Sequence, residues 1–206
     1  MIRHLIASLT FGLCALAAHA ANPQVEIKTN AGDIVLELDA GQAPKSTANF
    51  IQYVKDGHYD NTVFHRVIDD FMIQGGGYDK ALQQKTTRAP VENEAGNGLK
   101  NVRGTVAMAR TNAPHSATSQ FFINLKDNAF LDFRAPEPQG WGYAVFGKVI
   151  KGMDVVDKIA KRRTRPVGPF GDVPIEAVVI ESARIIDTAP ADAAPAPAAA
   201  KTTKAK

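Results

Sequence analysis

Arg66 is the residue whose setting most needs a chemical explanation. It stands in FHRVIDDFMIQGGG, residues 64–77, among Phe64, Val67, Ile68, Phe71 and Met72, and the glycines Gly75, Gly76 and Gly77 close the stretch. In a strand, residues 64, 66 and 68 share one face, which makes Phe64 and Ile68 the same-face neighbours of Arg66. A cation so placed either reaches past them to water or faces an apolar cavity open to a ligand. Two other stretches could line such a cavity. SQFFINL, residues 119–125, puts Gln120 and Phe122 on one strand face, and AMAR, residues 107–110, offers a small-residue strand end that a peptide backbone could approach.

More familiar catalytic arrangements are missing. The histidines His58, His65 and His115 lack H-E-x-x-H spacing, and the glycine triplet is followed by no Lys-Ser/Thr, so it reads as a turn and not as a phosphate loop. Ser119 is not in a G-x-S-x-G elbow. Asp69 and Asp70 are adjacent, so in extended chain they point to opposite faces and cannot bracket a bond between them. No metal site is expected.

The elements that must position these residues follow from periodicity and punctuation. Val25 and Ile27, then Ile34, Leu36 and Leu38, alternate with polar residues across Asn30-Ala31-Gly32-Asp33, which predicts a hairpin. Pro44 opens a helical pattern carrying Thr47, Phe50, Ile51 and Val54 on one face, with Gly57 past its end. Further strands are expected over residues 63–68, 71–74, 105–109, 120–125, 143–150 and 175–186, a second helix over 154–163, and loop over most of 79–103. Many short strands that do not alternate with helices point to a barrel or sandwich.

The ends of the chain stand apart. Arg3 and His4 precede an apolar run from Leu5 to Ala18, and Ala18-His19-Ala20 is a small-x-small cleavage pattern. That is the pattern of a secretory signal peptide over residues 1–20, shorter than the about 20 apolar residues of a membrane span. The single cysteine, Cys14, lies inside it. Residues 188–206, rich in Ala and Pro and ending in lysines, lack large apolar groups and are expected to form a disordered tail. Residues 21–187 then suit one domain. The chain has 24 basic and 21 acidic residues; setting aside Arg3, Lys201, Lys204, Lys206 and Asp192 leaves 20 of each. A neutral domain argues against a nucleic-acid partner. The basic cluster Lys161-Arg162-Arg163 with Arg165 is read as the end of the second helix, where cations complement the helix dipole.

Together, FHRVI…FMIQGGG, GTVAMAR, SQFFI and AVFGKVIKGMDVVDKI, in that order, resemble the cyclophilin-type peptidyl-prolyl cis-trans isomerases, most of all their exported bacterial branch, from about Val25 to Ile186. The resemblance implies a mainly β fold, a closed eight-stranded antiparallel β-barrel capped by two α-helices, with the site on the barrel's outer face. It implies that Arg66 is catalytic and that Phe71, Met72, Gln74, Ala109, Arg110, Gln120, Phe122, Phe130, Leu131 and Tyr143 bind substrate. Arg110 stands where many relatives carry asparagine. Phe130-Leu131 falls where many eukaryotic members carry Trp-Leu, Tyr143 where those members carry histidine, and Asp69-Asp70 replaces a commoner Pro-Gly turn. The implied function is rotation of X-Pro bonds in exported polypeptides, assisting their folding, with no cofactor. The chain is accordingly expected to be a periplasmic monomer acting on proline-containing polypeptides, without stable membrane insertion once residues 1–20 are removed. A proline-peptide binding or chaperone module without turnover is the alternative on the same fold.

Overall fold

The computed structural model describes residues 21–186. The readings of residues 1–20 as a signal peptide and of 188–206 as a tail therefore lie outside the described residues. Ten strands and two α-helices run in the order β1 (Gln24–Thr29), β2 (Gly32–Leu38), α1 (Pro44–Lys55), β3 (Thr62–Ile68), β4 (Met72–Asp79), β5 (Thr105–Met108), β6 (Phe121–Asn124), β7 (Val145–Lys151), α2 (Met153–Ala160), β8 (Thr164–Val167), β9 (Phe170–Pro174) and β10 (Val179–Ile186). Eight of these close into a barrel, ordered β1-β10-β3-β4-β6-β5-β7-β2, while β8 and β9 pair only with each other. Every pairing is antiparallel.

Alternation along the strands divides their residues between two apolar clusters. Ile73 of β4, Val106 and Met108 of β5, Phe121 and Ile123 of β6 and Phe146 of β7 join the interior core. Their chain neighbours Met72, Ala107, Ala109, Phe122 and Val145 face outward and form a second, smaller cluster with Leu131. Helix α1 adds Phe50, Tyr53 and Val54 to the interior, and α2 adds Val155, Val156, Ile159 and Ala160. An outer face that is itself apolar, on a barrel whose interior is already filled, is the first structural sign of a binding surface.

Helix α1 starts at Pro44, whose missing N–H costs nothing in a first turn. The residue before it, Ala43, cannot cap. The cap comes from a distance instead: Glu94 accepts hydrogen bonds from the backbone N–H of Lys45 at 2.9 Å and of Ser46 at 2.7 Å. A carboxylate at this end also complements the helix dipole. Glu94→Ala is expected to lower unfolding free energy by about 1–2 kcal/mol, read as a shift of the urea midpoint; an unchanged midpoint would show that water replaces the cap without cost. Helix α1 ends where Gly57 takes φ +64°, the left-handed conformation that glycine adopts most freely.

The expected barrel and two helices are present, and several local expectations change. The glycines Gly75, Gly76 and Gly77 are not a turn but the middle of β4. Helix α2 stops at Ala160, so Lys161, Arg162 and Arg163 follow it; Lys161 pairs with Asp69 and Arg162 with Glu176. The last strand begins at Val179, not at residue 175. The hairpin of β8 and β9 was not expected at all.

Candidate active site

Strand β3 supplies Arg66 through an irregularity. Phe64 pairs with Gly75 and Arg66 with Gln74, so two steps along β3 match one step along β4 and His65 is the extra residue. Such a bulge breaks the alternation of faces. Phe64 and Val67 consequently both enter the interior core, while Arg66 is exposed and Ile68 packs against the outer cluster. The expectation that Phe64 shares a face with Arg66 is thus corrected, and Ile68 alone remains its same-face neighbour.

The outer face of β3–β6 carries a cleft of about 370 Å³. Its lining includes Arg66, Phe71, Met72, Gln74, Ala109, Arg110, Gln120, Phe122, Leu131 and Tyr143, together with His65, Tyr78, Pro169, Phe170 and Gly171. Ten of the eleven residues singled out in the sequence therefore meet in one place. Phe130 does not line the cleft. It is 63% exposed and stacks on the outer side of Phe71, ring centroids 5.6 Å apart, because the single helical turn Ala129–Leu131 buries Leu131 in its place.

Hydrogen bonds fix the polar members. Gln74 donates through Nε2 to Oε1 of Gln120 at 2.9 Å, and the Gln120 carbonyl accepts from the Ala109 N–H at 2.9 Å. Arg110 donates from Nε to the Gly142 carbonyl and from Nη1 to the Thr111 carbonyl, each at 2.9 Å. Its guanidinium lies 4.6 Å from the centre of the Tyr143 ring, a cation–π contact, and Tyr143 meets Phe122 edge-on. Arg110 and Tyr143 thus form one braced wall.

Beneath this wall lies a buried amide chain that the sequence did not reveal. Asn124 donates to the Asn101 side chain at 3.2 Å, and Asn128 donates to the Asn124 side chain at 2.8 Å. Asn101 also donates to the Leu131 carbonyl, and Asn128 to the Phe71 carbonyl. Three asparagines therefore tie together the backbone that carries Phe71 and Leu131. Their positions, 101, 124 and 128, follow no period that would have marked them as partners.

Asp69 and Asp70, beside the site in sequence, are engaged elsewhere: Lys161 binds Asp69 and Lys126 binds Asp70, each at 2.7 Å. The Lys161 hydrogen bond holds the Asp69 carboxyl below its ordinary pKa. The carboxylate beside Arg66 is Asp172 of β9, its Oδ2 3.8 Å from the arginine Nε. That contact leaves the rest of the five-donor fork without an ion-pair partner among the described residues.

His65 is 3% exposed, packed edge-on against Tyr78 and Phe170. Burial lowers its pKa from 6.5 to about 4; the Val63 backbone opposes this and the Arg66 charge adds to it. Between those values the unfolded chain binds a proton that the folded protein refuses, so stability falls as pH drops from about 6.5 to about 4. The gap corresponds to about 3 kcal/mol. His65→Phe should therefore lose less stability than wild type across that window. Urea midpoints at pH 7, 5.5 and 4 would check it, and parallel loss in both proteins would assign the acid sensitivity elsewhere.

Comparison with known proteins agrees with this geometry. Residues 24–185 match the family model described as cyclophilin type peptidyl-prolyl cis-trans isomerase/CLD. The chain is 61% identical over 162 residues to a peptidyl-prolyl cis-trans isomerase of Streptomyces antibioticus, covering 79% of this chain and 98% of that one. It is 56% identical over 161 residues to peptidyl-prolyl cis-trans isomerase B of Escherichia coli, covering 78% and 98%. Among solved structures, it is similar to a Cryptosporidium parvum cyclophilin type peptidyl-prolyl cis-trans isomerase in the presence of the dipeptide Ala-Pro. The TM-score there is 0.65 at 29% identity, covering 80% of this chain and 99% of that one.

Proposed function

The chain belongs to the cyclophilin-type peptidyl-prolyl cis-trans isomerase family and is an enzyme of that activity; from this premise we propose that Arg66 carries the catalysis and that its substrates are X-Pro bonds of exported polypeptides. The observation that carries the reading is that Arg66 lines one cleft with the apolar side chains Phe71, Met72, Phe122 and Leu131.

Rotation about a peptide bond breaks no covalent bond, so the reaction calls for neither a nucleophile nor a proton shuttle. Its barrier of about 18–20 kcal/mol is the lost amide resonance, which X-Pro bonds cross unaided in about tens to hundreds of seconds. At the twisted transition state the prolyl nitrogen is pyramidal and recovers a lone pair. An N–H of Arg66 aimed at that lone pair stabilises the twisted form and not the planar one, and each 1.36 kcal/mol or so of such differential binding is about tenfold in rate. Met72, Phe122 and Leu131, with Phe71, form an apolar lobe that fits a pyrrolidine ring. Water excluded from that lobe strengthens the arginine's field. The Gln74–Gln120 pair and the backbone at Ala109 and Arg110 offer donors and acceptors to hold the peptide on one side while the other turns.

The dipeptide named with the Cryptosporidium parvum structure, Ala-Pro, supports proline-containing peptides as the substrate class here. Export is read from the sequence of residues 1–20, the periplasm from the resemblance to exported bacterial members, and the described domain is taken to act there as a monomer. Two measurements test the proposal. A protease-coupled assay on short X-Pro peptides should show turnover by the purified domain. Cell fractionation should find the full-length chain outside the inner membrane, and a chain lacking residues 2–20 in the cytoplasm; equal distribution of the two would refute export.

A further inference from the structure

The cleft continues past Arg66 to a part that the family resemblance did not lead us to expect, and which the described mechanism does not use. Its surface is made by Tyr78 of β4, by the bulged His65, and by Pro169, Phe170 and Gly171 at the tip of the β8–β9 hairpin. Three rings pack on one another: Tyr78 and Phe170 at 4.9 Å, His65 and Tyr78 at 4.6 Å, His65 and Phe170 at 5.8 Å, all edge to face. Burial keeps the imidazole neutral at physiological pH, so this floor is aromatic and uncharged. The whole cleft, about 370 Å³, is in the size range of sites that take ligands much larger than one five-membered ring.

We propose that this end of the cleft is a second subsite, which binds an apolar, preferably aromatic, side chain flanking the isomerising proline. It rests on the reading of Arg66 and the adjoining apolar lobe as the prolyl site. The hairpin is the element that makes it: β9 lies along β3 and delivers Phe170 over His65 while Asp172 comes beside Arg66. A side chain entering here exchanges water for ring faces and edges, the kind of contact that favours phenylalanine or tyrosine over alanine or a charged residue.

Two variants probe it. Phe170→Ala removes one of the three rings that form the subsite. Gly171→Val keeps the ring and adds bulk at the cleft wall, at a position where a Cβ meets no atom within 4 Å. The substrates are two peptide series, one varying the residue before proline and one the residue after it, each with Ala, Phe and Glu. Wild type is expected to prefer Phe to Ala in one series by about three- to tenfold in kcat/KM. Both variants should reduce that ratio towards one while turnover of the Ala peptides stays near wild type. Ratios unchanged in both series, in both variants, would overturn the subsite and leave the prolyl reading intact. Loss of turnover on the Ala peptides by the Gly171→Val protein would also overturn it, since the hairpin would then serve catalysis and not selection. Wild type inactive on every peptide would instead refute the proposed function.

Discussion

Arg66→Ala is expected to lower kcat/KM on X-Pro peptides by about two to three orders of magnitude, the usual cost of removing one preorganised donor from a transition state. The loss should fall on kcat, because the donor meets its acceptor only when the prolyl nitrogen has become pyramidal. Peptide affinity should change little, since the apolar lobe and the Gln74–Gln120 pair are untouched. Stability should hardly move: the Arg66 side chain is 45% exposed, and its ion pair with Asp172 is an exposed contact at 3.8 Å, of a kind that contributes about 0–1 kcal/mol. Measuring kcat, KM and the thermal midpoint on one preparation decides the matter. A folded Arg66→Ala protein with near wild-type kcat would remove Arg66 from the mechanism and leave the lobe's apolar walls as the source of catalysis.

The second large effect concerns the fold. Gly76→Ala is expected to destabilise the domain by about 2–5 kcal/mol, from positive-φ strain and overpacking together. Gly76 has φ +84°, and a Cβ built there would stand 2.8 Å from the Tyr59 ring and 2.9 Å from that of Phe121, both fully buried. Neither ring can swing aside, because Phe50 packs against both. Its neighbour provides an internal contrast. The three atoms nearest a Cβ at Gly77 all belong to the Gln120 side chain, the first at 2.5 Å, and that chain can move but would leave Gln74. Gly77→Ala should therefore lose activity more than stability, and Gly76→Ala the reverse. Urea midpoints alongside kcat/KM separate the two, and equal midpoints for both variants would show that β4 yields where these contacts say it cannot.

These residues also show where reading from sequence stopped. The interior and outer faces of β5 and β6 were legible because strict alternation holds through Val106, Ala107 and Met108 and through Phe121, Phe122 and Ile123. It failed in β3, since a bulge inserts one residue and nothing in the pattern FHRVI marks His65 as the extra one. The glycine triplet looked like a turn because small residues usually serve flexibility; here they serve close approach, which depends on Phe64, Tyr59, Phe121 and Gln120 arriving from other elements. Phe130 is assigned to the site because it falls where relatives carry tryptophan, and only the turn geometry shows that of the pair Leu131 is buried and Phe130 exposed. The β8–β9 hairpin is not legible in the sequence because its strands bury little and so lack an apolar period. The punctuation Val167-Gly168-Pro169 was the available signal.

That hairpin lies outside the closed ring of eight strands, and this separates two kinds of inheritance in the molecule. Changes to the ring must keep its hydrogen-bond ladders and its filled interior intact, so they are constrained together. The hairpin owes the ring no ladder; it packs along β3 through β9, with Phe170 on His65 and Asp172 beside Arg66. Its tip can be lengthened, shortened or exchanged while the arginine and the prolyl lobe stay where the barrel puts them. The molecule is in this sense a fixed die with an interchangeable jaw, and a library confined to residues 168–172 would be expected to retune substrate choice among variants that all still fold.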